Sequence, residues 1–314
     1  MVAGGLPCSH APPGQGPRRT IAGAATSPGS PRSLERARCF PTGRVTAPGV
    51  GPEVNLSGFP NFSDKHGFES IVSPHQAVAA VRDNPDTVIP DAAILTYGRT
   101  MMSYVTENRG ARPIEGYPGP WYRLHLVERN GVRVGVVGDF GIGAPAAAMV
   151  LEELAAMGVR RFLSVGVAGG LRADAAFGQL VLCTEAIRDE GVSHHYVPGA
   201  KHAYPSSRLT EKFAAALDAY GAIHSRGPTW TIDAPFRETL EEARSYRAEG
   251  VLTVEMEAVA LFAVGRYRGV EVASAFVVSD TLLAEGKWSF AFGAAVVQEG
   301  KRTLMDAALA TFVD

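Results

Sequence analysis

The chain has 314 residues, 46% hydrophobic and 20% charged, enough to bury a full core in one large or two small domains. Its 30 basic and 32 acidic residues give a formal net charge of −2, so nothing in the balance calls for nucleic acid as a partner. Three scattered cysteines, Cys8, Cys39 and Cys183, do not make a disulfide framework or a metal site, and no apolar run has the length of a transmembrane helix. A cytoplasmic protein with no membrane association is expected.

Residues 1 to 52 are rich in Gly, Pro, Ser and Arg, with Glu35 as the only acid before Glu53. They carry no apolar periodicity, which predicts a disordered or mis-annotated extension; no amphipathic helix of a transit peptide can be drawn there. The folded domain is expected over 53–314. Ile71 to Val81 suggests a short helix with Ser73 as N-cap and Pro74 at its first position. Ala92–Thr96 reads as a buried strand ending at Gly98. Tyr122–Val127 alternates, Asn130-Gly131 supplies a hairpin turn, and Val132–Val137 returns as a strand.

Next comes Gly138-Asp139-Phe140-Gly141-Ile142-Gly143, then a helix opened by Pro145, with Ala147, Val150, Leu151, Leu154 and Met157 at helical spacing and Gly158 closing it. The strand Arg161–Val165 follows and runs into Gly166-Val167-Ala168-Gly169-Gly170. Later elements are expected as strand 179–187 (with Cys183 a reduced core residue), helix 208–220, strand 222–232, helices 237–248 and 256–267, strand 272–278 and helix 291–313. Alternating strands and helices imply an α/β fold with a helix-covered mixed sheet.

The glycines at 138, 141 and 143 do not have the dinucleotide-binding spacing; they fit equally a tight strand-to-helix turn and a cradle of amides for an anion or a base. Gly166–Gly170 would admit a ligand close to the backbone, and two such loops at adjacent strand ends favour a cleft. Thr253-Val254-Glu255-Met256-Glu257-Ala258 sets two carboxylates in an apolar run, where acids are costly unless paired or used. In an extended lead-in to a helix both would share a face; otherwise they are a solvated helix start favoured by the dipole. Asp280 ends the apolar run Val272–Val278 and is either a turn cap with Thr281 or a catalytic acid at a strand's carboxyl end. A Glu pair and an Asp on one strand-and-helix unit suit sugar hydroxyls and a departing base. His194-His195 has no further metal-ligand spacing around it, so no metal is expected.

With these residues placed, the chain resembles the nucleoside phosphorylase superfamily of uridine phosphorylase, hexameric purine nucleoside phosphorylase and methylthioadenosine nucleosidase. The resemblance runs from about Ala92 to the C-terminus. It rests on Phe140-Gly141-Ile142-Gly143-Ala144-Pro145, Ser164–Gly170, Val254–Ala258 and Val278-Ser279-Asp280, in that order. It implies a single α/β domain with a barrel-like mixed sheet, and a homo-oligomer (dimer to hexamer) with sites at the subunit interface. It implies cleavage of the N-glycosidic bond of a purine nucleoside by phosphate, in nucleoside metabolism and purine salvage, with phosphate as co-substrate and no other cofactor. Glu257 and Asp280 would be catalytic. Glu255, Met256, Glu257 and His195 would hold the ribose. Gly169, Phe236 and Asp280 would meet the base, and Gly98, Arg99 and Gly143 the phosphate. The chain departs from the phosphorylase pattern in Met102, Ser164 and Val167, which stand where that pattern has two arginines and a hydroxyl for phosphate. A nucleosidase using water, a uridine phosphorylase and a non-catalytic nucleoside-binding protein are the alternatives.

Overall fold

The computed structural model describes residues 59–62, 65–114, 121–282 and 287–313. The expected N-terminal extension over 1–52 and the domain start at 53 lie outside them. In chain order the elements are α1 (Pro74–Ala77), α2 (Ala79–Arg82), β1 (Ala92–Thr96), α3 (Arg99–Arg109), β2 (Arg112–Pro113), β3 (Arg123–Arg129), β4 (Val132–Gly138), α4 (Ala144–Met157), β5 (Arg161–Gly170) and β6 (Leu180–Asp189). There follow α5 (Ser193–Tyr196), β7 (His202–Ala203), α6 (Ser207–Ala219), β8 (His224–Ile232), α7 (Leu240–Ala248), β9 (Thr253–Glu255), α8 (Ala258–Arg268), β10 (Glu271–Leu282), β11 (Trp288–Phe290) and α9 (Ala295–Val313).

The strands form one mixed sheet that closes on itself. β10 pairs with both β5 and β6, β6 with β8, β8 with β9, and β9 back with β5, which makes a five-strand ring. Four further strands run outward from β5 through β1 and β4 to β3 and β2, while β11 pairs with β10 and β7 with β6. β1 is buried along its whole length because it lies between parallel β4 and β5 with helices on both faces. One core lies beneath α4 and α8, and a second beneath α3, α6 and α9. A smaller core around Trp230 is closed by Ala243 of α7. The expected barrel-like sheet is present.

Several local expectations change. The helix over 71–81 is two short pieces, and Ser73, although at the N-cap, accepts no hydrogen bond through its side chain. The Asn130-Gly131 turn has φ of 50° and 75°, both left-handed, as a tight hairpin requires. α7 starts later than expected because Thr239 and Glu242 form a capping box. β10 does not end at Val278: its pairing with β5 shifts register between Val278 and Asp280, and it continues to Leu282. That irregularity re-aims the chain where Asp280 meets the site.

Candidate active site

The barrel rim carries a cavity of about 440 Å³ lined by residues from separate elements. Its floor is the end of β5, Val167-Ala168-Gly169. Gly169 pairs with both Asp280 of β10 and Val254 of β9. A Cβ there would come within 3.0 Å of Asp280 Oδ2 and of a Val254 methyl, so a side chain larger than hydrogen must push one of them away. The glycine therefore brings three strands to one point and leaves bare backbone facing the cavity.

At one end stand Glu255, Met256, Glu257 and Tyr97. Thr253, Val254 and Glu255 form β9, and Glu257 is the N-cap residue of α8, so the extended lead-in puts both acids on the cavity. Their surroundings separate them. Glu255 Oε1 accepts from the Thr231 hydroxyl at 2.5 Å, and Oε2 accepts from the backbone N–H groups of Glu257 and Ala258 at 2.8 Å each. It thus binds the first amides of α8 to β8. Glu257 Oε1 accepts from the N–H of Gly143 at 2.6 Å, and the backbone of Met256 also stabilises the carboxylate. Burial raises both carboxyl pKa values, and the charge of Glu257 raises Glu255 further. Tyr97 shares a hydrogen bond of 2.8 Å with Ser164, and burial followed by the Glu257 charge raises its phenol.

At the other end stand Asp280, Glu238, Leu282 and the aromatic rings of Phe236, Trp288 and Phe292. Asp280 Oδ1 accepts from the Ser279 hydroxyl at 2.8 Å and Oδ2 from Trp288 Nε1 at 2.9 Å, which fixes the carboxyl plane. Phe236, on a short turn before α7, is 96% exposed at the mouth. The Glu238 carboxyl makes no hydrogen bond or ion pair with any described residue. Burial first, then the charges of Asp280 and Glu242, push its pKa up to about 7.

Glu255, Met256, Glu257, Gly169, Phe236 and Asp280 thus meet at one cavity. The other expected residues do not. Gly98 and Arg99 line a separate, larger cavity of about 950 Å³ that shares only the Tyr97 and Ile142 walls with the first. The Gly143 amide, expected to hold phosphate, is taken by Glu257, because the loop at φ 95° turns its N–H toward α8. His195 lies in a third cavity with Lys65, whose Nζ is 2.8 Å from its Nδ1, since α5 packs on the 65–67 turn. Burial and the Lys65 charge lower its pKa.

Tyr97, Glu238, Trp288 and Phe292 were not among the expected site residues. Trp288-Ser289-Phe290-Ala291-Phe292 alternates aromatic and small residues, a period-two signal of a strand with one aromatic face. Glu238 is hidden beside the capping box, whose own Glu242 makes acids there look structural.

The family described as the phosphorylase superfamily matches residues 108–312, and the chain belongs to it. It is 37% identical to a guanosine phosphorylase of Halorubrum lacusprofundi over 145 residues, 46% of this chain and 60% of that protein. It is 31% identical to a uridine phosphorylase of Treponema pallidum over 159 residues, 46% of this chain and 62% of that protein. The chain thus spans about three fifths of these two relatives. Among solved structures it superimposes on a uridine phosphorylase from Vibrio fischeri with TM-score 0.62 at 23% identity, over 78% of this chain and 99% of the other. A purine nucleoside phosphorylase from Toxoplasma gondii gives 0.63 at 16%, over 72% and 91%. At such identity these two likenesses speak for the fold.

Proposed function

We propose that this chain is a nucleoside phosphorylase acting on purine nucleosides, with a preference for 6-oxopurines. One observation carries the reading: a single cavity holds a buried Glu257 beside Met256 at one end and Asp280 among aromatic rings at the other. Family membership and the guanosine phosphorylase relative support it.

In this reading Glu257 accepts hydrogen bonds from the ribose hydroxyls. Its interaction grows as the sugar becomes oxocarbenium-like, which is what lowers the barrier. A phosphate oxygen bonds to C1′ as the C1′–N9 bond breaks. The electron pair leaves with the base, whose N7 accepts a hydrogen bond or a proton through Asp280 once that carboxylate has taken up a proton from solvent. Phe236 covers the base, and Gly169 lets it lie against backbone. Glu238 meets the opposite base edge. Guanine presents adjacent N1–H and amino donors there, which match the two oxygens of a carboxylate, whereas adenine presents an acceptor.

A nucleosidase reading draws on one specific observation. Among the described residues the cavity is lined by four acids and by no lysine or arginine, a poor setting for a phosphate dianion. The deciding experiment incubates the protein with a nucleoside panel, with and without phosphate, and identifies the sugar product. Ribose 1-phosphate supports phosphorolysis; free ribose at the same rate without phosphate assigns hydrolysis; binding with no base release leaves a nucleoside-binding protein.

We also infer a homo-oligomer. Phe62, Phe68, Val72 and Met149 are each more than half exposed around the cavity that holds His195, an apolar area larger than isolated surface residues make. Cytoplasmic residence is part of the same proposal; among the described residues no helix is long and apolar enough to cross a membrane.

A further inference from the structure

If phosphate attacks the sugar in a cavity walled by acids, a cation must stand close by. Among the described residues three such cations line cavities that share a wall with it; Arg123 is paired with Asp139, which leaves two candidates. Arg99 lines the 950 Å³ cavity, is exposed, and makes no hydrogen bond or ion pair with any described residue. Lys301 differs from it in kind. It sits on α9, where Val297, Leu304 and Ala308 are fully buried at helical spacing. Position 301 falls on that same apolar stripe, so the sequence pattern calls for a leucine and supplies a lysine.

The Lys301 side chain is only partly withdrawn from solvent. It lines a small cavity of about 30 Å³ with Thr96, Tyr97, Gly98, Thr100, Gly166 and Val167. It is half-buried, and its ammonium has no acceptor among the described residues. Partial burial lowers its pKa, and an anion drawn into this cavity would supply the acceptor it lacks among the described residues. Tyr97 and Val167 wall this cavity on one side and the base-and-sugar cavity on the other.

We propose that Lys301 holds the phosphate nucleophile, supplying from the C-terminal helix the positive charge that the reaction cavity lacks. The proposal rests on the phosphorolytic reading above. Lys301 remains an ammonium throughout; it orients and neutralises the anion and transfers no proton. The small cavity opens to phosphate by rotation of the four-carbon Lys301 stem, whose head no described residue holds.

The test varies phosphate at saturating guanosine for wild type, Lys301→Met, Lys301→Arg and Arg99→Met. Lys301→Met should raise the phosphate KM roughly 10-fold or more, the weight of a charge-assisted contact, with the guanosine KM within about 2-fold. Lys301→Arg should recover most of the loss, and Arg99→Met should change little. An unchanged phosphate KM in Lys301→Met, or a loss confined to Arg99→Met, overturns the proposal. A second measurement uses the unmodified protein. Millimolar inorganic phosphate should slow acylation of Lys301 by an acetylating reagent and leave exposed Lys212 unaffected. Absence of protection overturns the proposal even where a variant fails to fold. Base release that is equally fast without phosphate sinks the phosphorolytic reading itself, and this inference with it, whereas phosphate-dependent turnover with a normal Lys301→Met sinks the inference alone.

Discussion

Two acids two residues apart in sequence are given different work by their partners. Glu257 takes the Gly143 N–H on one oxygen and has the Met256 backbone close by, fewer protein contacts than Glu255 has, which leaves acceptor capacity for a sugar. Glu257→Gln should keep the fold and lower turnover ~100-fold or more, since contacts to developing charge count most in the transition state. Near-normal activity in a variant of unchanged melting temperature would remove Glu257 from the site. Asp280→Asn should cost purine nucleosides far more than substrates whose leaving group needs no proton, by ~100-fold or more. Equal losses on both would make Asp280 structural, an anchor for Trp288.

Glu238 adds a pH signature. Burial first, then the facing charges of Asp280 and Glu242, push its carboxyl pKa up to about 7. Only the ionised form accepts both donors of guanine. The guanosine KM should therefore fall as pH rises through about 7, while that of adenosine should show no such gain. Glu238→Gln should flatten the guanosine profile; a profile identical to wild type would place the titration elsewhere.

At the scale of elements, α8 is tied to the barrel through Glu255. Its carboxylate joins Thr231 of β8 to the first amides of α8, and the N–H of Val259 returns a bond of 3.2 Å to the same Thr231 hydroxyl. Removing that hydroxyl leaves two buried groups short of a partner. Thr231→Val should destabilise the protein by about 1–3 kcal/mol in urea denaturation, with little direct effect on nucleoside KM. A stable Thr231→Val with a much weakened KM would instead assign the Thr231–Glu255 pair to the sugar. The resemblance implies Glu255 as a sugar ligand, and the residue does line the cavity; its hydrogen-bond partners are what sequence does not give. The extended Thr253–Glu255 lead-in, by contrast, was legible from its β-branched residues.

For the whole molecule, the exposed ring of Phe236 and the exposed apolar residues around His195 bear on assembly. Light scattering at micromolar concentration should give at least twice the mass of one chain, and Val72→Glu should lower it. A monomer with full activity would contradict the inferred oligomer and leave His195 without a role in any site.

What the sequence determined by itself was the order and type of the long elements, since helical and strand periodicities are local and strong. It also determined the glycine loops and the acids at 255, 257 and 280, because small residues and carboxylates in apolar runs are conspicuous. Only the tertiary structure decided ring closure, since β10 pairing with both β5 and β6 is a non-local choice that no local pattern encodes. Folding likewise sent the Gly143 amide to Glu257, His195 to another cavity, and Lys301 to the small cavity behind Tyr97 and Val167. Each of those outcomes depends on which buried donor or charge finds a partner across the fold, and that is settled only when distant segments pack together.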